Sequence, residues 1–333
     1  MKPIAMLCAV SALVHVSLSG CSARTADEVK RAQGLQGSDR HTLIMAIGTD
    51  SSTGRIVFVR EDRLQSGDTG QPLCDSTGIY LRGADSSTAL TQPSERLCDL
   101  LWSGPAPSVR KGLSAIATAD IFDSNRVMVV TFDQHSTKLV KTDCRLGAAA
   151  PAWSPDGRRL AIVGTCDSTH ARQALHLLRV GHGSEGSWNL RRRVAERVPL
   201  TWAPDAKRLA FAGGAAPVDS IYTIELVTGQ IRAIAQGSEP SWSPTGERIA
   251  YVRRNKSELF RTDIRFVNPL GTIDSSMLAP ESPSRVGTPD GFVAPSPLVW
   301  TPDGTRIYYS SVKCIESIEV ESRRHARVFC ALR

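Results

Sequence analysis

One short phrase recurs four times in this chain, and it constrains the fold more than any other feature. Trp153-Ser154-Pro155-Asp156-Gly157, Trp202-Ala203-Pro204-Asp205-Ala206, Trp242-Ser243-Pro244-Thr245-Gly246 and Trp300-Thr301-Pro302-Asp303-Gly304 are near-copies of one another. Six residues after each tryptophan stands an arginine: Arg159, Arg208, Arg248 and Arg306. An apolar run follows each arginine, as in Leu160-Ala161-Ile162-Val163. A unit recurring every 40 to 58 residues marks a repeat architecture.

Within one unit the chemistry is that of a hairpin. Proline presets φ at the second turn position, aspartate suits the third, and glycine accepts the left-handed conformation that closes the turn. The arginine-led run reads as a short strand. It alternates large residues (Leu160, Leu209, Ile249, Ile307) with mostly small ones (Ala161, Ala210, Ala250). Both faces are therefore largely apolar, which requires cover on both sides of the sheet. Two further strand-like runs follow in each unit, clearest at 208–213, 220–227 and 230–235. With the short run ending at the tryptophan, each unit holds four strands. Ala206 in place of glycine and Thr245 in place of aspartate leave the pattern intact.

The same grammar continues upstream in weaker form. A second unit opens at Trp102-Ser103-Gly104, with strands near 113–119, 126–132 and 138–142. A first unit takes its strands from 42–48, 55–60, 78–82 and 88–91. The expected fold is all-β: six four-stranded units closing a propeller over residues 41–333, within the usual range of about 4–8 blades. A seventh blade inside the long first and fifth units is the alternative.

The Trp-Ser-Pro-Asp-Gly-x-Arg-hydrophobic phrase resembles the repeat of TolB-type β-propellers, the WD-like periplasmic repeats. The resemblance covers 150–312 well and 41–149 by continuation. It implies the fold and says little of function. TolB proteins carry an α/β domain ahead of the propeller, and the residues before 41 are too few for one. The family's partnership with the peptidoglycan-associated lipoprotein is therefore not carried over.

Residues 1–20 read as a targeting segment: Lys2 supplies the positive charge, Ile4 to Leu18 the apolar stretch, and Leu18-Ser19-Gly20-Cys21 a cleavage box. The box resembles the bacterial lipoprotein signal, which implies a lipid on Cys21 and a membrane partner through that anchor. Ser22 after the cysteine resembles the outer-membrane destination, facing the periplasm. Residues 21–40 form the lipidated N-terminus and a polar tether, whose 19 residues after Cys21 reach about 25 Å as a flexible coil. The formal charge of +7 falls to +6 without Lys2 and favours anionic partners. The densest basic run, Arg191-Arg192-Arg193 with Arg197, suits a solvated outer blade edge. Nucleic acid is not an expected partner of an exported protein, and a monomer is expected.

Six cysteines remain after Cys8 and Cys21: Cys74, Cys98, Cys144, Cys166, Cys314 and Cys330. An even number in an exported chain favours disulfides. Cys314 and Cys330 fall on or beside neighbouring strands of the last unit. Cys74–Cys98 and Cys144–Cys166 are the local choices for the others, although the sequence alone cannot choose among the pairings. No Cys-x-x-Cys pair or matching histidine spacing suggests zinc.

No catalytic constellation emerges. Gly183-Ser184-Glu185-Gly186 fails as a nucleophile elbow because His182 takes the first glycine position. Ser108-Val109-Arg110-Lys111 matches Ser-x-x-Lys without its companion motifs. The positions two and three before each repeat tryptophan should line the central channel, where some propellers of this family, sugar lyases, hold a metal with histidines. The third position here is Ala150, Pro199, Glu239 or Pro297, never histidine. No cofactor and no metal are expected. The repeat tryptophans Trp153, Trp202, Trp242 and Trp300 and the turn aspartates Asp156, Asp205 and Asp303 are assigned structural roles. A proline-rich stretch at 279–297, containing Arg285 and Phe292, is a candidate contact loop. The expected function is a non-enzymatic scaffold of the cell envelope that binds a protein or glycan. A lyase-like or peptidase-associated enzyme is the alternative.

Overall fold

Each Trp-x-Pro-Asp-Gly phrase closes a tight hairpin, and the register around it is the same in every copy. Trp153 pairs with Leu160, Trp202 with Leu209, Trp242 with Ile249 and Trp300 with Ile307. The glycine position is left-handed in all four turns, with φ of 69° at Gly157, 78° at Gly246 and 72° at Gly304. In the second copy Ala206 carries a side chain into that region, with φ of 55°.

A computed structural model describes residues 40–330, excluding 51–52, 66–71, 83–85, 92–107, 111, 113–114, 120–125, 133–135, 142–144, 147–149, 166–172, 191–193, 195–198, 215–219, 255–261, 279–296 and 311–313. The described residues contain strands and turns and no helix. They form six antiparallel sheets, each a meander in sequence order. Blade one is β1 (Arg40–Thr49), β2 (Ile56–Gln65), β3 (Pro72–Arg82) and β4 (Ser87–Ala89). Blade two is β5 (Ser108–Val109), β6 (Ala115–Ala119), β7 (Arg126–Thr131) and β8 (Ser136–Lys141). Blade three has β10 (Ala152–Trp153), β11 (Arg159–Thr165), β12 (Ala174–Arg179) and β13 (Gly183–Asn189), with β9 (Arg145–Leu146) beside β11. Blade four is β14 (Thr201–Trp202), β15 (Arg208–Gly213), β16 (Ser220–Glu225) and β17 (Ile231–Gln236). Blade five is β18 (Ser238–Trp242), β19 (Ile249–Arg254), β20 (Thr262–Val267) and β21 (Ile273–Leu278). Blade six is β22 (Val299–Trp300), β23 (Arg306–Ser310), β24 (Cys314–Glu319) and β25 (His325–Cys330). The fold is a six-bladed propeller, as the repeat implies, and the described residues form no seventh blade.

The core is six separate layers, one between each pair of neighbouring blades. Blades three and four, for example, bury Ala161, Val163 and Leu175 against Trp202, Leu209 and Phe211. Blade six closes on blade one through Val299 and Ile315 against Ile44, Ala46, Ile56 and Phe58. This arrangement explains the doubly apolar strands: Leu160, Ala161, Ile162 and Val163 are all buried, alternate residues facing opposite neighbours. Each blade's four-stranded meander comes from one continuous stretch of chain, so among the described residues closure borrows no strand across the ends of the ring.

The blade-two register departs from the sequence reading at one point. Val109 pairs with Ile116 as Trp153 pairs with Leu160, so Val109 holds the tryptophan's place in that blade. Trp102 lies outside the described residues. The inner edge is also less regular than four plain strands. β9 and β10 share β11 as partner, and Val194 makes an isolated bridge to Gly213 ahead of β14.

Candidate functional site

The six innermost segments converge on one cavity of about 550 Å³ along the propeller axis. Its wall runs from the residues just before each repeat tryptophan to the turn just after it. Pro151, Pro199, Pro240 and Pro297 line the deeper part, and the turn prolines Pro155, Pro204, Pro244 and Pro302 line the end toward the hairpin turns. Proline suits this edge because an innermost strand has no neighbour on its free side to receive an N–H. Blades one and two contribute Ile47, Gly48, Thr49, Ser108, Val109 and Arg110. The volume lies in the range of ordinary small-ligand sites.

The chemistry of that wall is sparse. Among the described lining residues the polar side chains are mainly serine and threonine hydroxyls, and Arg110 is the single charged residue. Among the described lining residues there is no carboxylate, imidazole, thiol or amine. Of the positions expected at the channel from the sequence, Ala150, Pro199 and Pro297 line the cavity and Glu239 does not. β18 is bulged between Ser238 and Ser241, and Glu239 sits there at φ 55°, so Pro240 takes the wall position instead.

Around the cavity the repeat motif works as a clamp between blades. Each repeat tryptophan packs on the blade before it. The Arg159 guanidinium lies 5.2 Å from the Trp202 ring centre and donates to the Ala206 carbonyl at 3.2 Å. Arg208 covers Trp242 at 5.1 Å. Arg110 covers Trp153 at 5.1 Å and donates from Nε to the Gly157 carbonyl at 2.7 Å, although it arrives from the turn rather than the strand. Indole N–H groups add a second link. Trp202 donates to Ala152 O and Trp300 to Ser241 O, both at 3.0 Å, whereas Trp242 donates to Gly246 O in its own turn.

The turn aspartates act inside their hairpins. Asp156 accepts from the Ser154 hydroxyl and from the Arg158 N–H at 3.1 Å. Burial pushes its pKa up, but those hydrogen bonds and the charges of Arg159 and Arg158 outweigh it and hold the carboxyl below its ordinary value. In Asp205 burial is likewise outweighed, by the Lys207 N–H and by Arg208, which pairs with it at 2.7 Å. Asp303 is lowered by the Thr301 hydroxyl first, then by the Thr305 N–H and hydroxyl.

The remaining expected site residues are dispersed. Cys314 and Cys330 are joined by a disulfide across β24 and β25, where they are direct register partners. Cys74 lies on β3, whereas Cys21, Cys98, Cys144 and Cys166 lie outside the described residues. So do Arg285 and Phe292, together with Arg191, Arg192, Arg193 and Arg197. The stretch containing Arg285 and Phe292 returns to the described chain at Pro297, on the cavity wall. A cluster that the sequence did not suggest lies on blade six, where the Tyr309 hydroxyl donates to Glu316 at 2.7 Å and sits 3.4 Å from His325 Nδ1. Burial, reinforced by Glu316, raises the Tyr309 pKa, so this phenol stays protonated.

No protein-family model matches the sequence, and no curated protein sequence does. Solved structures match its fold. TolB from Acinetobacter baumannii superposes with a TM-score of 0.53 at 13% identity, over 90% of this chain and 66% of that one. The chain thus spans just under two-thirds of that protein's length. A putative TolB from Agrobacterium tumefaciens gives 0.51 at 17% identity, over 73% and 84% of the two chains. An oligogalacturonate lyase solved in complex with manganese gives 0.51 at 14% identity, over 87% and 78%. The described residues that line the cavity do not fit such a metal, because hydroxyls, prolines and one arginine offer no carboxylate or imidazole. The chain folds as a six-bladed β-propeller of the TolB type.

Proposed function

We propose that this protein is a non-enzymatic, lipid-anchored binding protein of the cell envelope, which holds a partner at the axial cavity. The observation that carries the reading is the cavity wall. General acid–base, covalent and metal chemistry all need titratable or ligating side chains within reach of one reacting atom. The described wall offers one guanidinium among prolines, aliphatic groups and hydroxyls, a surface suited to recognition. The envelope location and the anchor rest on the Leu18-Ser19-Gly20-Cys21 box and on the likeness to TolB propellers.

The test is crosslinking and capture of the acylated protein from its native envelope, alongside a Ser241→Trp variant. Ser241 lines the cavity, and its hydroxyl makes no hydrogen bond among the described residues, so an indole placed there should take up space in the cavity. A partner captured by the wild type and lost with Ser241→Trp supports the reading. Turnover of an envelope glycan or peptide by the purified protein, abolished by one point mutation, overturns it. In the same cells Cys21→Ala should move the protein from the membrane fraction to the soluble exported fraction. Retention in the membrane would remove the anchor from the proposal.

A further inference from the structure

We propose that Arg110 makes the cavity a receptor for a carboxylate, namely a glutamate or aspartate side chain carried on an apolar peptide segment. The inference rests on the cavity being the binding site and names what it selects. Arg110 is the single charge among the described residues of the wall. Its place in the fold is unusual. It follows Val109 at the end of β5 and hydrogen-bonds to Ala115 O as Ser154 does to Arg159 O, so it occupies the first turn position at the cavity rim.

The guanidinium is held before any ligand arrives. Nε is committed to Gly157 O at 2.7 Å, and the group lies over Trp153. Among the described residues its two terminal nitrogens have neither a hydrogen-bond partner nor an acid to pair with. The equivalent residue of blade one, Asp50, accepts from Thr53 and lies 3.9 Å from Arg55, outside the wall. The other tryptophan-covering arginines differ: Arg208 is neutralised by Asp205, and neither Arg159 nor Arg208 lines the cavity. A pre-positioned guanidinium with free donors suits a planar carboxylate, and little entropy is lost on binding.

The wall favours a peptide over a sugar acid. A sugar ring packs its C–H face on an open aromatic plane, but the Trp153, Trp202 and Trp242 rings are covered by arginines and Trp300 packs on Phe266. Apart from Arg110 and the hydroxyls, the described wall is mostly proline with Val109 and the largely buried Leu200 and Leu298, which matches apolar side chains next to one acid.

The experiment uses the full chain and two matched hexapeptide pools, N-acetylated and C-amidated, built from Ala, Val, Leu and Pro. One pool has a central Glu and the other a central Gln. Retention on immobilised protein is read by mass spectrometry, with galacturonate oligomers as a third probe. The Glu pool should be retained about tenfold better than the Gln pool, a difference of about 1.4 kcal/mol. That preference should shrink as salt rises, disappear in Arg110→Gln, and partly survive in Arg110→Lys. Equal retention of both pools, with loss of both in Ser241→Trp, would refute the carboxylate inference and leave the cavity reading standing. Retention indifferent to Ser241→Trp would remove the cavity itself. Galacturonate oligomers retained better than the Glu pool through Arg110 would overturn the peptide in favour of a glycan. The salt and Glu-for-Gln comparisons are made on the wild type, so they stand even if Arg110 variants fold poorly.

Discussion

A tryptophan in this repeat does three things at once. It fills the space between two blades, offers a ring face to an arginine, and sends its N–H to a carbonyl. The two neighbouring copies separate the last of these from the others. Trp153 and Trp202 are 7% and 8% exposed, and each lies under an arginine. Trp202 Nε1 donates to Ala152 O, whereas Trp153 Nε1 is buried with no partner among the described residues. Trp202→Phe should therefore destabilise the fold by about 1–2 kcal/mol more than Trp153→Phe, because it strands the Ala152 carbonyl. Urea unfolding of the two variants measures the difference, and equal losses would show that the indole bond contributes nothing. The turn aspartates give a second residue-level test. Asp303 has a folded pKa held below that of the unfolded chain by Thr301 and Thr305. The unfolded chain then takes up its proton first as pH falls, so the contribution is complete above the unfolded value of about 3.9 and is lost below it, toward the folded value. The stability gap between wild type and Asp303→Asn should be constant from neutral pH to about pH 5 and should close at lower pH. A gap that widens in acid would contradict the sign.

At the scale of one element, the blade explains both what the sequence showed and what it hid. Blades three to six were legible because a turn phrase, a tryptophan and an arginine each recur at a fixed offset, and hairpin chemistry is local. Blade two was displaced because Val109 fills the indole's place and Arg110 reaches Trp153 from another backbone position. Similar packing is achieved there without the phrase. The one charge among the cavity's described residues was invisible for the same reason, since its position follows from a register that no motif marks. The bulge that turns Glu239 off the wall was equally hidden, because it depends on the pairing of β18 with β19 rather than on composition. The disulfide belongs to this scale as well. It closes a sequence separation of 16 residues across β24 and β25, worth about 3 kcal/mol in the chain-entropy model. Cys314→Ala with Cys330→Ala should destabilise the protein by up to about that much, read as a lowered Tm that no longer responds to reductant at this site. A Tm equal to that of the oxidised wild type would show that the strand pair needs no lock.

For the whole molecule, the decisive feature is how a ring of complete blades closes. Many contacts within a blade are local in sequence, but blade one meets blade six across nearly the full chain. Ala46 N–H donates to Ser310 Oγ at 2.9 Å, and the Thr49 hydroxyl donates to Trp300 O at 3.0 Å. Phe58 packs edge-on against Phe329 at 4.9 Å, and Arg82 lies over that same ring. Among the described residues no strand crosses the seam, so these contacts carry a closure that an exchanged strand would otherwise secure. Phe211 gives the matched comparison inside the ring, buried between blades three and four and stacked on Tyr222 at 5.5 Å. Phe58→Ala and Phe211→Ala should each cost about 3–5 kcal/mol as cavity mutations, yet they should loosen different regions. Opening at the seam frees the terminal blades without disturbing the contacts of blades three and four, which are held on both sides. Hydrogen exchange in Phe58→Ala should therefore rise first in blades one and six, while Phe211→Ala should raise it in blades three and four. Uniform acceleration in Phe58→Ala would mean that the ring unfolds as one unit, with the seam no weaker than any other layer.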